Sequence, residues 1–333
     1  MSDARPLDPP LPTNLYFEVT NRCNLPCQTC VRTFNLHEPE RDPLPRELKQ
    51  VAGGLPNLRR TVLHGIGEPL LNKNLPEMIR FAKAQGSWVL FNSNGILLNR
   101  RWQDTLIDCG LDELRISIDA ATPETFLKIR GATTFHRIVA NLREFVARKA
   151  ERGVAYPQLS LWFVGMRDNI HELPALVDLA ADIGIPEVYF QRLVYNGLGV
   201  AQKEQSLHGQ TEGQVRAIIE AAVARGEARG VALRASGATT PLESLRPSAE
   251  ARPWARCRRP WTSTYVTAHG KVLPCCIAPF ALQEDFPSMI LGDLKDQPLE
   301  AIWHGEKYRQ FRERLQGDDP HPCCRTCGVG WSL

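Results

Sequence analysis

The stretch Thr20 to Cys30 reads TNRCNLPCQTC and sets Cys23, Cys27 and Cys30 in a C-x3-C-x2-C spacing, just after a short apolar run that begins at Leu15. Three thiolates within eight residues can face a single centre. Iron–sulfur cubanes normally take four cysteine ligands, so a local set of three leaves one iron with an open position. By analogy with zinc, an open position is what a catalytic metal keeps and a structural one fills. A zinc ion that takes its fourth ligand from elsewhere, or three unrelated thiols, are the plainer alternatives on spacing alone.

The run Leu15 to Thr20 is the first of six short segments rich in β-branched and aromatic residues. The others are Arg60 to His64, Trp88 to Asn92, Glu113 to Ile118, Gln158 to Val164 and Glu187 to Leu193. Longer segments of helical period separate them, among them Leu75 to Gln85, Arg101 to Cys109, Phe135 to Arg152 and Ile170 to Ile183. Asn169 is the expected N-cap of the last, and Gly184 its stop. This alternation predicts an α/β fold of repeated βα units around parallel strands. A doubly wound sheet and a partial (β/α)6 barrel both satisfy it, and both put functional loops at the C-terminal ends of the strands.

The alternation fades after residue 194. A helix is expected over Thr211 to Arg229, and TTPLESLRPSAEARPWARCRRP then reads as a connector. Beyond it, TSTYVTA and KVLPC flank His269 and Gly270 as a hairpin, and a helix from Leu299 to Leu315 precedes the last cysteines. The expected organisation is an extended lead-in over 1–13, a large domain over 14–235, a linker over 236–256 and a small α+β domain over 257–333.

The 333 residues are 43% hydrophobic, and 40 basic against 37 acidic side chains leave a net charge of only +3. That balance argues against extensive disorder and against nucleic acid as a partner. No apolar h-region follows the first residues and no stretch approaches the roughly 18–20 apolar residues that span a bilayer, so the expectation is a cytoplasmic protein with no membrane partner. Nine of the ten cysteines fall in two groups, one near each end of the chain. Without a secretion signal, such clustering points to metal binding or redox chemistry before disulfides. Cys109, at a helix end, reads as a small buried hydrophobe.

After the second expected strand the chain continues HGIGEPLLN. With the cysteine triplet one βα unit earlier, this resembles the radical S-adenosylmethionine (radical SAM) enzymes, in which Gly65, Gly67, Glu68 and Pro69 match a glycine–glutamate element. The resemblance implies a partial six-unit βα barrel in which Cys23, Cys27 and Cys30 bind a 4Fe-4S cluster. The amino and carboxylate groups of S-adenosylmethionine then chelate the fourth iron. Glycines allow close backbone approach, and the Glu68 carboxylate is suited to accept from the methionyl ammonium. The resemblance further assigns Ser93 and Asn94 in FNSNG to a turn beside the cofactor, Ser117 and Asp119 in RISIDA to its ribose and methionyl parts, and Arg130 in FLKIRG to a carboxylate contact. Thr29 stands where the family commonly has an aromatic residue near the adenine.

Cys257, Cys275 in GKVLPCC, Trp303, and the C-x2-C of Cys324 and Cys327 resemble the auxiliary-cluster domains called SPASM and twitch. The resemblance implies a second 4Fe-4S cluster on Cys257, Cys275, Cys324 and Cys327. Only GVGWSL follows the C-x2-C, which favours the one-cluster twitch form. Cys276 and Cys323, the other members of two doublets, are spare or alternate ligands, and zinc is the alternative occupant. Arg246, Arg252, Arg256, Arg258 and Arg259 make the densest basic run. It is either a rim for an acidic electron donor such as a flavodoxin or ferredoxin, or a solvated linker.

The function expected from these features is reductive cleavage of S-adenosylmethionine, followed by hydrogen abstraction from a small molecule or peptide. The outcome would be oxidation, epimerisation or another radical modification. Few residues precede the first strand, which tilts the expectation towards a small molecule or a peptide delivered by another protein. The competing expectation is a non-catalytic iron–sulfur electron carrier or zinc-binding scaffold.

Overall fold

In the computed structural model, which describes residues 5–237, 239–281 and 286–327, the six expected strands form as β1 Asn14–Phe17, β2 Arg60–Val62, β3 Trp88–Ser93, β4 Glu113–Ser117, β5 Gln158–Gly165 and β6 Glu187–Arg192. Each pairs in parallel with the next. Side chains alternate across the sheet as the pleat requires. In β4, Leu114 and Ile116 enter the core under the helices, while Arg115 and Ser117 face a cavity on the other side. In β6, Val188 and Phe190 are buried, and Tyr189 and Gln191 face the same cavity. The arrangement is an α/β partial barrel.

Helices cover the outer face. Asn99 and Thr122 cap Arg100–Asp108 and Pro123–Arg130 by accepting from Trp102 N and Thr125 N, and Gly184 ends Leu173–Ile183 in a left-handed conformation. Asn169 precedes a short 3-10 turn but makes no side-chain cap bond. Its amide instead donates to the carbonyls of Asp119 and Val164, tying together the ends of β4 and β5.

Further strands extend the sheet, among them the expected hairpin. β7, Ala232–Ala235, pairs in parallel with β6. The hairpin β8 Ser263–Val266 and β9 Lys271–Leu273 turns through Gly270 at φ 85°, and β10, Gly292–Asp293, pairs with β9. β8 also pairs in parallel with β1, from Asn14↔Ser263 to Phe17↔Val266. All ten strands therefore form one sheet in the order β10-β9-β8-β1-β2-β3-β4-β5-β6-β7. β8 was read only as half of a hairpin, because its pairing with β1 joins residues 249 positions apart and leaves no local trace.

The expected helix Leu299 to Leu315 is two helices, Leu299–Trp303 and Glu306–Gln316, parted by Gly305 in an extended conformation. Arg312 from the second is fully buried. Its guanidinium lies over Trp303 and Tyr308 and donates to the carbonyls of Pro260, Leu7 and Trp303. The lead-in lies along this unit: Trp261 donates to Pro6 O, Trp303 donates to Pro9 O and Pro10 O, and Arg5 stacks on Trp261. No described helix is long and apolar enough to cross a membrane.

Candidate active site

A cavity of about 710 Å³ opens at the C-terminal ends of the strands and runs down the inner face of the sheet. Cys23, Cys27 and Cys30 border it, as do Gly65, Gly67, Glu68, Ser93, Asn94, Ser117, Asp119 and Arg130. Thr29 borders it as well. Residues from four strand ends and one helix thus meet around one space of the size that small ligands occupy.

The cysteine loop is pinned by its backbone. Gln28 N donates to Ile129 O, Val200 N to Gln28 O, Glu68 N to Arg22 O, and Thr33 Oγ1 to Cys27 O. Gly67 is packed against this loop so closely that a Cβ there would stand 2.3 Å from Thr20 O and 2.6 Å from Arg22 O. Any side chain at 67 would push the loop away.

Glu68 is buried and accepts three hydrogen bonds: from Ser93 Oγ (2.8 Å), Leu70 N (3.1 Å) and Asn94 N (2.7 Å). Burial pushes its carboxyl up to about 6. Asn94 Nδ2 reaches Asn24 Oδ1 at 2.8 Å, so the carboxylate, the β3 turn and the cysteine loop form one network. Asp119 has a positive φ of 57°, a conformation that costs a non-glycine residue roughly 1–3 kcal/mol and that clusters at functional sites. It holds Arg130 in an ion pair of 2.6 Å and accepts from Val164 N at 2.7 Å. Burial works against the Arg130 cation, but Asp119 and the thiol of Cys27 outweigh it. Arg130 Nη1 points at Cys27 Sγ from 3.6 Å.

The donor set fits an iron–sulfur cluster with an attached polar ligand. Burial pushes the Cys23 thiol up to about 11 and Cys30 up to about 12, so these thiols await a cation to offset their ionisation. Asp119 Oδ2 is taken by Arg130 Nη2, whereas Arg130 Nε, buried at the cavity wall, has no hydrogen-bond partner among the described residues, as a site for a further acceptor would leave it.

The second cysteine set lies behind this wall. Burial raises the thiols of Cys257 and Cys275, and Cys327 reaches about 12. Cys324 perturbs all three, and Cys327 perturbs Cys275, so the four are electrostatic neighbours. The doublets diverge. Cys276 faces the cavity, whereas Cys323 is packed on His321 Nδ1 and Met289 Sδ, each at 3.2 Å. Arg259 is buried between the two regions; it touches Cys276 and feels the charges of Cys275 and Cys257. The other arginines of the basic run are exposed, and Arg246, Arg252 and Arg256 pair with Glu243, Asp318 and Glu250. Cys109 is buried, and its thiol is pushed up to about 11.

Sequence reasoning overlooked Glu18, Tyr16, Arg60, His64 and Arg115. Glu18 accepts from Ile66 N, Tyr265 OH and Ala268 N, tying the β1 loop to the β8–β9 turn. A signal for the others exists: Arg60 and His64, and Arg115 and Ser117, are polar residues two or four apart within otherwise apolar strands, which places each pair on one face.

Comparison with known proteins bears on the fold and the family. The model of the radical SAM superfamily matches residues 17–191, and that of SPASM, an iron–sulfur cluster-binding domain, matches residues 257–328. A PqqA peptide cyclase of Xanthomonas campestris pv. campestris is 26% identical over 313 residues, 91% of this chain and 76% of the relative. That of Granulibacter bethesdensis is 26% identical over 326 residues, 96% of this chain and 80% of the relative. Among solved structures, Streptococcus suis SuiB bound to S-adenosylmethionine superimposes with a TM-score of 0.69 at 13% identity, covering 95% of this chain and 77% of SuiB. The enzyme anSMEcpe with bound AdoMet and Cp18Cys peptide gives 0.65 at 15% identity, covering 95% and 86%. At such identities these structures speak for the fold.

Proposed function

This chain belongs to the radical SAM superfamily, and we propose that it modifies a peptide by abstracting hydrogen from it in the cavity at the strand ends. The family and the SPASM domain make it an enzyme that uses S-adenosylmethionine, a catalytic 4Fe-4S cluster and auxiliary iron–sulfur ligation. A non-catalytic carrier or zinc scaffold is set aside. The single observation that carries the site is the meeting of Cys23, Cys27 and Cys30 with Glu68, Asn94, Asp119 and Arg130 around one cavity. A peptide is favoured over a small molecule because relatives aligned over nine-tenths of the chain are peptide cyclases.

Cys23, Cys27 and Cys30 would hold the catalytic cluster, and Cys257, Cys275, Cys324 and Cys327 an auxiliary one. A 4Fe-4S cluster held there would, once reduced, supply the one electron for cleaving S-adenosylmethionine to methionine and a 5′-deoxyadenosyl radical. The protein does the rest by positioning. Glu68 has lone pairs left for the methionyl ammonium. Ser117 and Asp119 line the cavity where hydroxyls would lie, and Arg130, paired with Asp119, turns one nitrogen to Cys27 and leaves Nε for a further acceptor. Hydrogen bonds to cluster sulfurs tune its potential, so Arg130 also acts on the electron transfer. The electron would come from a small acidic donor protein.

Anaerobically reconstituted protein, given dithionite and S-adenosylmethionine, is expected to release 5′-deoxyadenosine, measured by liquid chromatography. The Cys23/Cys27/Cys30→Ala variant is expected to release none. A parent protein that binds four-iron clusters yet forms no 5′-deoxyadenosine would overturn the assignment.

A further inference from the structure

Below the strand ends, the inner face of the sheet is unusually rich in donors. Five arginines but only two carboxylates border the cavity among the described residues, and those carboxylates, Glu68 and Asp119, are engaged at its upper rim. Deeper, the side chain of Arg60 at the start of β2 makes no ion pair or hydrogen bond among the described residues, and its Nε is buried without a partner there. Arg115 on β4 is held by Glu113 through Nε alone (2.6 Å) and stacks on Trp162, its carbon centre 4.3 Å from the ring centroid. Trp162 is itself stacked on Tyr189 at 4.0 Å. The guanidinium is thus fixed as a flat plate with its terminal nitrogens free.

Two neutral donors complete the floor. His64 Nδ1 accepts from Asn92 N at 3.1 Å, and burial and Arg115 push this imidazole down to about 3. A neutral ring whose Nδ1 accepts must carry its proton on Nε2, which has no partner among the described residues. Tyr16 stands 6.0 Å from it between ring centroids, its hydroxyl kept protonated by burial. Two guanidinia, an N–H and an O–H converge on the floor; Glu113 is the carboxylate paired with one of them, and Glu187, felt by Arg115, is itself held by Arg234 at 3.0 Å.

We propose that this floor, between Arg60 and Arg115, is a subsite for a carboxylate carried by the substrate. The inference rests on the cavity being where S-adenosylmethionine and substrate meet. It narrows the substrate to one whose acidic group sits deep while its reacting carbon is held at the rim. Guanidinium recognises carboxylate in paired hydrogen bonds, and the stacked plate pre-organises that contact.

The test is calorimetric titration of reconstituted protein, first with S-adenosylmethionine and then with three probes. N-acetylglutamate methylamide carries a side-chain carboxylate, N-acetylglutamine a main-chain one, and N-acetylglutamine methylamide none. The parent is expected to prefer at least one carboxylate probe over the neutral amide by about tenfold or more. Arg60→Gln and Arg115→Gln are expected to erase the preference while binding S-adenosylmethionine as the parent does, and Arg115→Lys to keep part of it. Preference for the first probe assigns an acidic side chain, and for the second a chain end or small carboxylic acid. Equal binding of all three by a parent that binds S-adenosylmethionine overturns the subsite and leaves the proposed function standing. An Arg60→Gln variant that loses S-adenosylmethionine assigns the arginine to the cofactor and also overturns it. A parent that binds no S-adenosylmethionine overturns the proposed function and this inference together.

Discussion

The two cysteine sets differ in how they are built. The first is one loop: eight consecutive residues supply all three sulfurs, which border a cavity reaching solvent. The second gathers Cys257, Cys275, Cys324 and Cys327 over seventy-one positions from a 3-10 turn, a strand end and a terminal helix, and none of the four borders the cavity. A site supplied locally with three ligands leaves room for a reactant. One assembled from distant segments cross-links the fold around it. The lesson is that ligand number and chain separation, taken together, separate a site that reacts from a site that holds.

The contrast can be broken most severely by emptying each set in turn. Cys23/Cys27/Cys30→Ala is expected to lower iron from about eight to about four per chain and abolish 5′-deoxyadenosine formation while the fold stays cooperative. Cys257/Cys275→Ser is expected to remove the other four and broaden or lower thermal unfolding by several degrees, since these residues join separate segments. Equal thermal effects from the two variants would erase the distinction.

A second test addresses the ion pair at the open site. Asp119→Ala leaves Arg130 buried without its counter-charge and is expected to cost about 3–5 kcal/mol by urea unfolding, with S-adenosylmethionine affinity lost as well. Asp119→Asn, which retains an acceptor, is expected to cost less.

The seam between the two regions gives a pH test. Burial raises Glu18 to about 7 from an ordinary 4.5, so the folded protein resists its ionisation. This contribution is fully present below about 4.5 and is lost as pH rises through about 7. Between pH 4.5 and 8 the parent is expected to lose about 3 kcal/mol relative to Glu18→Gln in denaturant unfolding of the cluster-free protein. Parallel pH profiles would refute the assignment. The smallest effect is expected at the doublets: Cys323→Ala should leave iron content unchanged and cost about 1–2 kcal/mol through lost packing on Met289. Loss of four irons would instead place Cys323 among the ligands.

What could be read from the sequence follows the same divide. The triplet, HGIGEP and FNSNG are contiguous, so spacing and turn chemistry reveal them before any fold is known. All eight cofactor residues named from the sequence border the cavity. β7 escaped notice because Ala232–Ala235 is only four residues long, directly follows a helix, and gains its strand character from pairing with β6. Arg259 escaped for a related reason: five arginines look alike in a basic run, and only tertiary packing buries one between two cysteine sets. Arg60, His64 and Arg115 follow the strand period but defy its usual sense, with polar groups facing inward because the inside of this sheet is a cavity and not a core.

The parallel pairing of β1 with β8 also bears on how the chain is made. At roughly 5–20 residues per second, the ribosome needs about 12–50 s after completing β1 to deliver its distant neighbour. During that interval β1 can pair with β2 alone, and its other edge stays open beside the loop that carries Cys23, Cys27 and Cys30. An open strand edge is a hazard for aggregation, and a nascent chain needs it shielded. The same interval passes before β8 docks and the cavity takes its final walls, Ser263 and Tyr265 among them.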